Sequence, residues 1–357
     1  MNSSSEQAII HSADFFDCLP DDVVLSIFGK LQDAKSLCLS MSTCKRFRSI
    51  APQVDRVFLP IPPKNSDAKD SDQKSSFKNL VIRALTKPFL LISQMIKFKS
   101  KPEENNDLDF YSYYVPNEIL KNFQGIRALH LRLPCHGNHK QNPSRNGKNS
   151  TTLLKWRAEF GRELHSCVIL GAKSWSEKDR VESSEEEAAS RVMADDELKL
   201  RIVWTISCLI AASARHYLMQ ETVKGLKMIE NVVVSDESDQ GRLCMNKEQI
   251  EEIRQSSKVK GDDETVESRS RVPALRMKMW YLDRLEVPGS GKVMEGATLV
   301  VIKPAVGGED EAKKGSPSRS DAEMVADAFE GEGKVMAEAV RKLMVAKKCY
   351  VLEMNSF

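Results

Sequence analysis

A chain of 357 residues with 41% hydrophobic content is long enough for a small module and one larger domain with its own core. Its 53 basic and 51 acidic residues leave a formal charge of +2, which excludes the one-signed field that general nucleic-acid coating or membrane coating needs. Eight scattered cysteines lack paired spacings, so no disulfide framework is expected. Cys38, Cys44, Cys167 and Cys208 fall at apolar periodic positions, as the reduced thiols of an intracellular protein would, and in that setting the sequon at Asn149 carries no meaning.

Residues 1–17 lack the basic start and apolar run of a signal peptide and are expected to be a flexible leader. The organising stretch follows at 18–60. Pro20 opens an apolar-periodic run and Asp21 and Asp22 fall in its first turn, where carboxylates suit the positive helix end. Val23, Val24, Ile27, Phe28 and Leu31 recur at helical spacing. Asp33 is placed to cap a second helix through Leu37 and Met41, and Ser42 or Thr43 a third with Cys44, Phe47 and Ile50. So small a unit cannot hide Leu19, Val23, Ile27, Leu31, Leu37 and Leu39 in one core, so part of that surface is expected to be covered by another protein.

In order and spacing, Leu19-Pro20-Asp21-Asp22, Ile27-Phe28, Leu31, Leu37 and Cys44-Lys45-Arg46-Phe47 resemble an F-box, the module that docks on the Skp adaptor of SCF ubiquitin ligases. It differs in having Phe47 where Trp is commonest. The resemblance implies adaptor contact through Leu19, Pro20, Val23, Ile27, Leu31, Leu37, Cys44, Lys45 and Phe47, with Cys44 and Phe47 tying the third helix beneath.

Residues 61–76 are polar and low in complexity, which reads as a linker that tethers the module flexibly. Residues 77–101 form a basic amphipathic segment, broken at Pro88, whose lysines are expected to snorkel beside the main domain rather than meet a membrane. The uncharged run after Pro88 is too short to span a bilayer.

From 105 to 357 short apolar runs alternate with helical stretches. Val54-Val57-Leu59, Ile126-Leu129-Leu131, Leu164-Cys167-Ile169, Ile229-Val232-Val234, Leu282-Leu285-Val287, Ala297-Val300-Ile302 and Cys349-Leu352-Met354 share an apolar-x-x-apolar-x-apolar template. That template resembles the strand of a leucine-rich repeat, although the gaps are far from a fixed period. The expected fold is therefore α+β or α/β: a three-helix module followed by a curved, irregular, leucine-rich-repeat-like sheet with packed helices. Residues 282–287 and 297–302 should pair antiparallel, because PGSGKVMEGA is too short for a helical crossover.

Helices are predicted at 151–164, with Leu153, Leu154, Trp156 and Phe160 on one face, at 195–219, at 246–256 and at 321–346. The 195–219 helix begins with acids and ends with Arg215 and His216, and its thirteen uncharged residues, 202–214, are too few to cross a membrane. Disordered loops are expected near 135–150, 176–190, 256–271 and 303–320.

Chemistry-bearing motifs are sparse. Cys135, His136 and His139 lack an evident fourth ligand, and PGSGK at 288–292 has neither the spacing nor the hydroxyl residue of a phosphate-binding loop. His165, Asp283 and Glu295 form no catalytic pattern. No enzyme, cofactor or metal is expected.

Residues 154–172, 201–218 and 296–304 resemble segments of a plant F-box group, the auxin up-regulated F-box proteins. This implies a non-catalytic substrate receptor of an SCF-type E3 ligase, in nucleus and cytoplasm, with a Skp adaptor, a cullin and a RING protein as partners and an unnamed target. An F-box module acting outside a cullin complex and a small-molecule receptor are the alternative readings.

Overall fold

The computed structural model describes residues 16, 18–61, 117–134, 151–177, 193–258, 273–305, 320–346 and 348–355. Helix α1 (Asp21–Leu31) starts behind Pro20, which sits extended at the cap position with Asp21 and Asp22 in the first turn. Helix α2 (Ala34–Thr43) is capped as expected: the Asp33 carboxylate accepts the Ser36 N–H at 2.8 Å. Helix α3 (Lys45–Ile50) is not capped by Ser42 or Thr43. Their hydroxyls donate back to the Leu39 and Ser40 carbonyls of α2, and the Cys44 sulfur accepts the Phe47 N–H instead.

The chain then runs β1 (Arg56–Pro60), α4 (Asn117–Leu120), β2 (Ala128–Leu133), β3 (Thr151–Phe160), β4 (Leu164–Glu177), α5 (Asp195–Gly225), β5 (Asn231–Asp236), β6 (Gly241–Met245), α6 (Lys247–Lys258), β7 (Leu275–Val287), β8 (Lys292–Pro304), α7 (Asp321–Ala328), α8 (Lys334–Met344) and β9 (Cys349–Met354). The strands form one sheet in the order β1-β2-β5-β6-β3-β4-β8-β7-β9. Each apolar template overlaps a strand, and β7 and β8 pair antiparallel as predicted. The likeness to leucine-rich repeats stops there. A solenoid stacks parallel strands in chain order, whereas here only β1, β2 and β5 run parallel as a group and every pair from β3–β4 to β7–β9 is antiparallel. The chain is a mixed α/β protein built on a large mixed sheet.

Two helix expectations need correction. Residues 151–160 are strand β3, because Trp156, Ala158 and Phe160 are buried while Lys155, Arg157 and Glu159 between them are not. That is a period of two, and β4 and β6 on either side satisfy the backbone. Residues 321–346 hold two helices. Gly331 and Gly333, at φ +82° and +91°, turn the chain between them in a conformation that L side chains resist. The linker, the basic segment 77–101, the Cys135–His139 cluster and most of the four expected loops lie outside the described residues.

Helix α5 packs along one face of the sheet. It is the one helix among the described residues long and apolar enough to cross a membrane by length and composition. Two of its cations are nevertheless buried against strands: Arg201 reaches Thr298 Oγ1 at 3.2 Å and the Gly296 carbonyl at 3.0 Å, and Arg215 reaches Asp236 at 2.5 Å. Such partners mark a core helix of the sheet. Cys208 of α5 lies beside Cys167 of β4, and burial pushes the Cys208 thiol up to about 12. Helices α7 and α8 cover the opposite face over β4, β8 and β7. Over β1, β2 and β5 that face carries no helix among the described residues, whereas the end of α7 reaches β3, where the Asp327 carbonyl accepts Arg157 Nη1 at 2.6 Å.

The N-terminal module is seated on the sheet, which corrects the expected flexible tether. Strand β1 follows α3 almost directly and pairs with β2, and the Phe58 N–H donates to the Gln32 carbonyl at 2.7 Å. Val24, Phe28, Leu37 and Ile50 belong to the same core as Val57, Leu129 and Leu131.

Candidate functional site

A three-helix module can bury only one side of α1. Val24 and Phe28 face its core, and positions 23, 27 and 31, one helical turn apart, lie on the outer side. There Val23 is 39%, Ile27 36% and Leu31 44% exposed. Leu39 on α2 is 59% exposed. Pro20 is exposed and Leu19 half-buried at the start of this stripe. Large apolar side chains grouped on one element of so small a module are the mark of a protein-docking surface.

Leu37 does not join them. Its side chain is fully buried between the helices and β1, so the expectation that it touches a partner is corrected: it is a core residue. Leu37 and Leu39 are two positions apart on a helix, which turns them to different sides, and burial selects one. Phe47 is half-buried, with its ring edge-on to Phe28 at 5.1 Å and to Phe16 at 5.7 Å. With Cys44 as the cap, it fixes α3 beneath α1. Lys45 is exposed. Burial, and then the Asp33 carboxylate, raise the Cys38 thiol above its ordinary range, which keeps it protonated and inert.

Arg46 is the structural residue that sequence reasoning passed over in favour of Lys45. Its guanidinium donates to Asp21 Oδ1 at 2.8 Å, to the Phe16 carbonyl at 2.7 Å and to the Leu19 carbonyl. Arg46 thereby holds the chain that leads into α1. Its Nε, Nη1 and Nη2 each serve a different acceptor, a planar spread of donors that the single ammonium nitrogen of a lysine does not offer. Among the described residues no group of three His, Cys, Asp or Glu side chains is placed to hold a metal ion.

Comparison with known proteins agrees with this geometry. The F-box-like family model matches residues 16–56, which are α1 to α3 and the first turn of chain into β1. The Arabidopsis thaliana F-box protein At1g30200 is 35% identical over 388 residues, covering 99% of this chain and 96% of the relative. F-box protein AUF2 is 35% identical and F-box protein AUF1 34% identical, each covering 96% of this chain and all of the relative, both from Arabidopsis thaliana. No solved structure matches the chain. Similarity over the whole chain, with the family model on α1 to α3, shows that this chain belongs to the F-box proteins, among relatives that include the auxin up-regulated group AUF1 and AUF2.

Proposed function

We propose that the chain is a substrate-recognition subunit of an SCF-type E3 ubiquitin ligase, acting in nucleus and cytoplasm. The exposed face of α1 binds a Skp-type adaptor, a cullin and its RING protein join through that adaptor, and the sheet presents a target protein. F-box proteins are in general non-catalytic adaptors, and catalysis in this reading is proximity: target lysines are held at high local concentration near an activated ubiquitin carrier. The observation that carries the reading is the row Val23, Ile27 and Leu31, apolar and exposed on a module whose core is otherwise closed. Burying such side chains contributes on the order of 1–2 kcal/mol each, enough for the row to anchor an interface.

The test is co-expression of the full chain with a Skp adaptor, followed by size-exclusion chromatography. The wild type is expected to elute as a one-to-one complex. Ile27→Lys with Leu31→Lys changes exposed residues only, so the chain should stay folded and elute alone. Retention of the complex by that variant would contradict the reading.

A further inference from the structure

The turn between α7 and α8, residues 330–334, faces solvent at Glu330, Gly331, Gly333 and Lys334, yet the side chain of Glu332 in its middle points inward and is only 10% exposed. Gly331 and Gly333 on either side turn it there. A Cβ at either would meet nothing within 4 Å, so glycine stands at both for its positive φ and not for room. The Glu332 carboxylate reaches two strands: Oε2 accepts Lys155 Nζ of β3 at 2.9 Å, and Oε1 meets Arg242 Nη2 of β6 at 2.8 Å.

Both cations have a second partner. Asp239, in the turn between β5 and β6, meets Lys155 Nζ at 3.0 Å and Arg242 Nη2 at 3.1 Å. Two carboxylates thus share two cations, one built into the sheet and one carried by the turn. The sharing decides what happens when Glu332 leaves. A buried charge deprived of its partner is strongly destabilising, but here Lys155 and Arg242 keep Asp239, so the turn can lift without orphaning either. Its two ends are fixed independently: Ala328 and Phe329 before it, and Ala339, Val340 and Leu343 after it, are buried in the core beneath α7 and α8. Under the turn a water-sized gap of about 10 Å³ lies among Trp156, Gln240 and Phe329.

We propose that residues 330–334 are a strap that opens and closes on its own while α7, α8 and the sheet stay folded, with Glu332 as its latch and Gly331 and Gly333 as its hinges. Opening widens the gap and bares the sides of Trp156 and Phe329 that line it. Closing returns the carboxylate to Lys155 and Arg242. Asp239 sets the balance, because it competes with Glu332 for the same two cations. The proposal stands apart from the receptor reading.

The test is amide hydrogen exchange in the full chain, read over 329–334, where the Glu330 and Glu332 N–H groups bond to the Asp327 and Phe329 carbonyls in the closed strap. Glu332→Gln should speed exchange there by roughly tenfold, the scale of one charge-assisted hydrogen bond lost, with α7, α8, β7 and β8 unchanged. Asp239→Asn should act in the opposite direction and slow it, since both cations then depend on Glu332. Asparagine tolerates the positive φ of this position, so the β5–β6 turn is kept. Glu330→Gln, an equal loss of charge on an exposed neighbour, should exchange as the wild type does. Three results would each overturn the proposal: faster exchange across α7, α8 and the strands together in Glu332→Gln, which would make Glu332 a support of the whole fold; faster exchange in Asp239→Asn as well, which would make the four charges a single static brace; or equal effects of Glu332→Gln and Glu330→Gln.

Discussion

On α5, His216 stacks on Phe160 with ring centroids 4.7 Å apart, and burial lowers its pKa to about 4. An unfolded chain takes up a proton on this residue near pH 6.5, while the folded chain resists it. Between those values the unfolded state binds more protons, so stability falls as pH falls from about 6.5 and levels off below about 4. His165 acts in the opposite sense. Its hydrogen bond to Glu252 at 2.9 Å raises its pKa, so its contribution is fully present below pH 6.5 and is lost as pH rises through the raised value. The carboxylates held below their usual range, Asp239 and Asp321, lose their contribution only below about pH 4. The window from 6.5 to 4.5 therefore reports His216 together with His130, whose pKa burial lowers in the same sense. Urea unfolding of the wild type should show a loss of about 2–3 kcal/mol across that window, and His216→Gln should remove most of that slope. An unchanged slope would place the acid sensitivity elsewhere. None of this was legible in the sequence, where His216 reads only as a cation suited to a helix end; its burial follows from which face of α5 meets β3, a tertiary fact.

At the scale of elements, α1 was legible because caps, charge and period agree over one continuous stretch. Strand β3 was not. Leu153, Leu154, Trp156 and Phe160 satisfy a helical spacing, and the alternation of Trp156, Ala158 and Phe160 with charged residues satisfies a strand equally well. Pairing with β4 and β6, distant in sequence, decides between the two. Strand β6 is too short to announce itself. Helix α2 divides its leucines in the same way, by tertiary contact. Leu37→Ala should therefore lower stability by about 2–5 kcal/mol while the folded fraction binds the Skp adaptor normally. Leu39→Ala should leave the unfolding midpoint within about 0.5 kcal/mol of wild type and weaken adaptor binding. The reverse pairing of effects would mean that α2 is turned about its axis relative to this structure.

Across the whole molecule, helix α1 and the sheet form one body. Strand β1 ties α3 to the sheet edge, Gln32 bonds Phe58, and Val24, Phe28 and Leu37 share a core with β1 and β2. The polar composition of residues 61–76 suggested a hinge between module and domain, but the last strand before that stretch is already part of the sheet. A fixed seat has a functional consequence. The exposed stripe of α1 and the sheet keep a set distance, so on the proposed receptor reading an adaptor bound at one would position a target held at the other, as catalysis by proximity requires.

The measurement that bears most directly on the docking surface is amide hydrogen exchange along the full chain, alone and with a saturating Skp adaptor. Binding through the apolar stripe predicts slower exchange across 21–43, in α1 and α2, with β9 and the helix-free face of the sheet unchanged. Unaltered exchange in 21–43, or protection confined to the sheet, would contradict the assignment of α1 as the adaptor-binding helix.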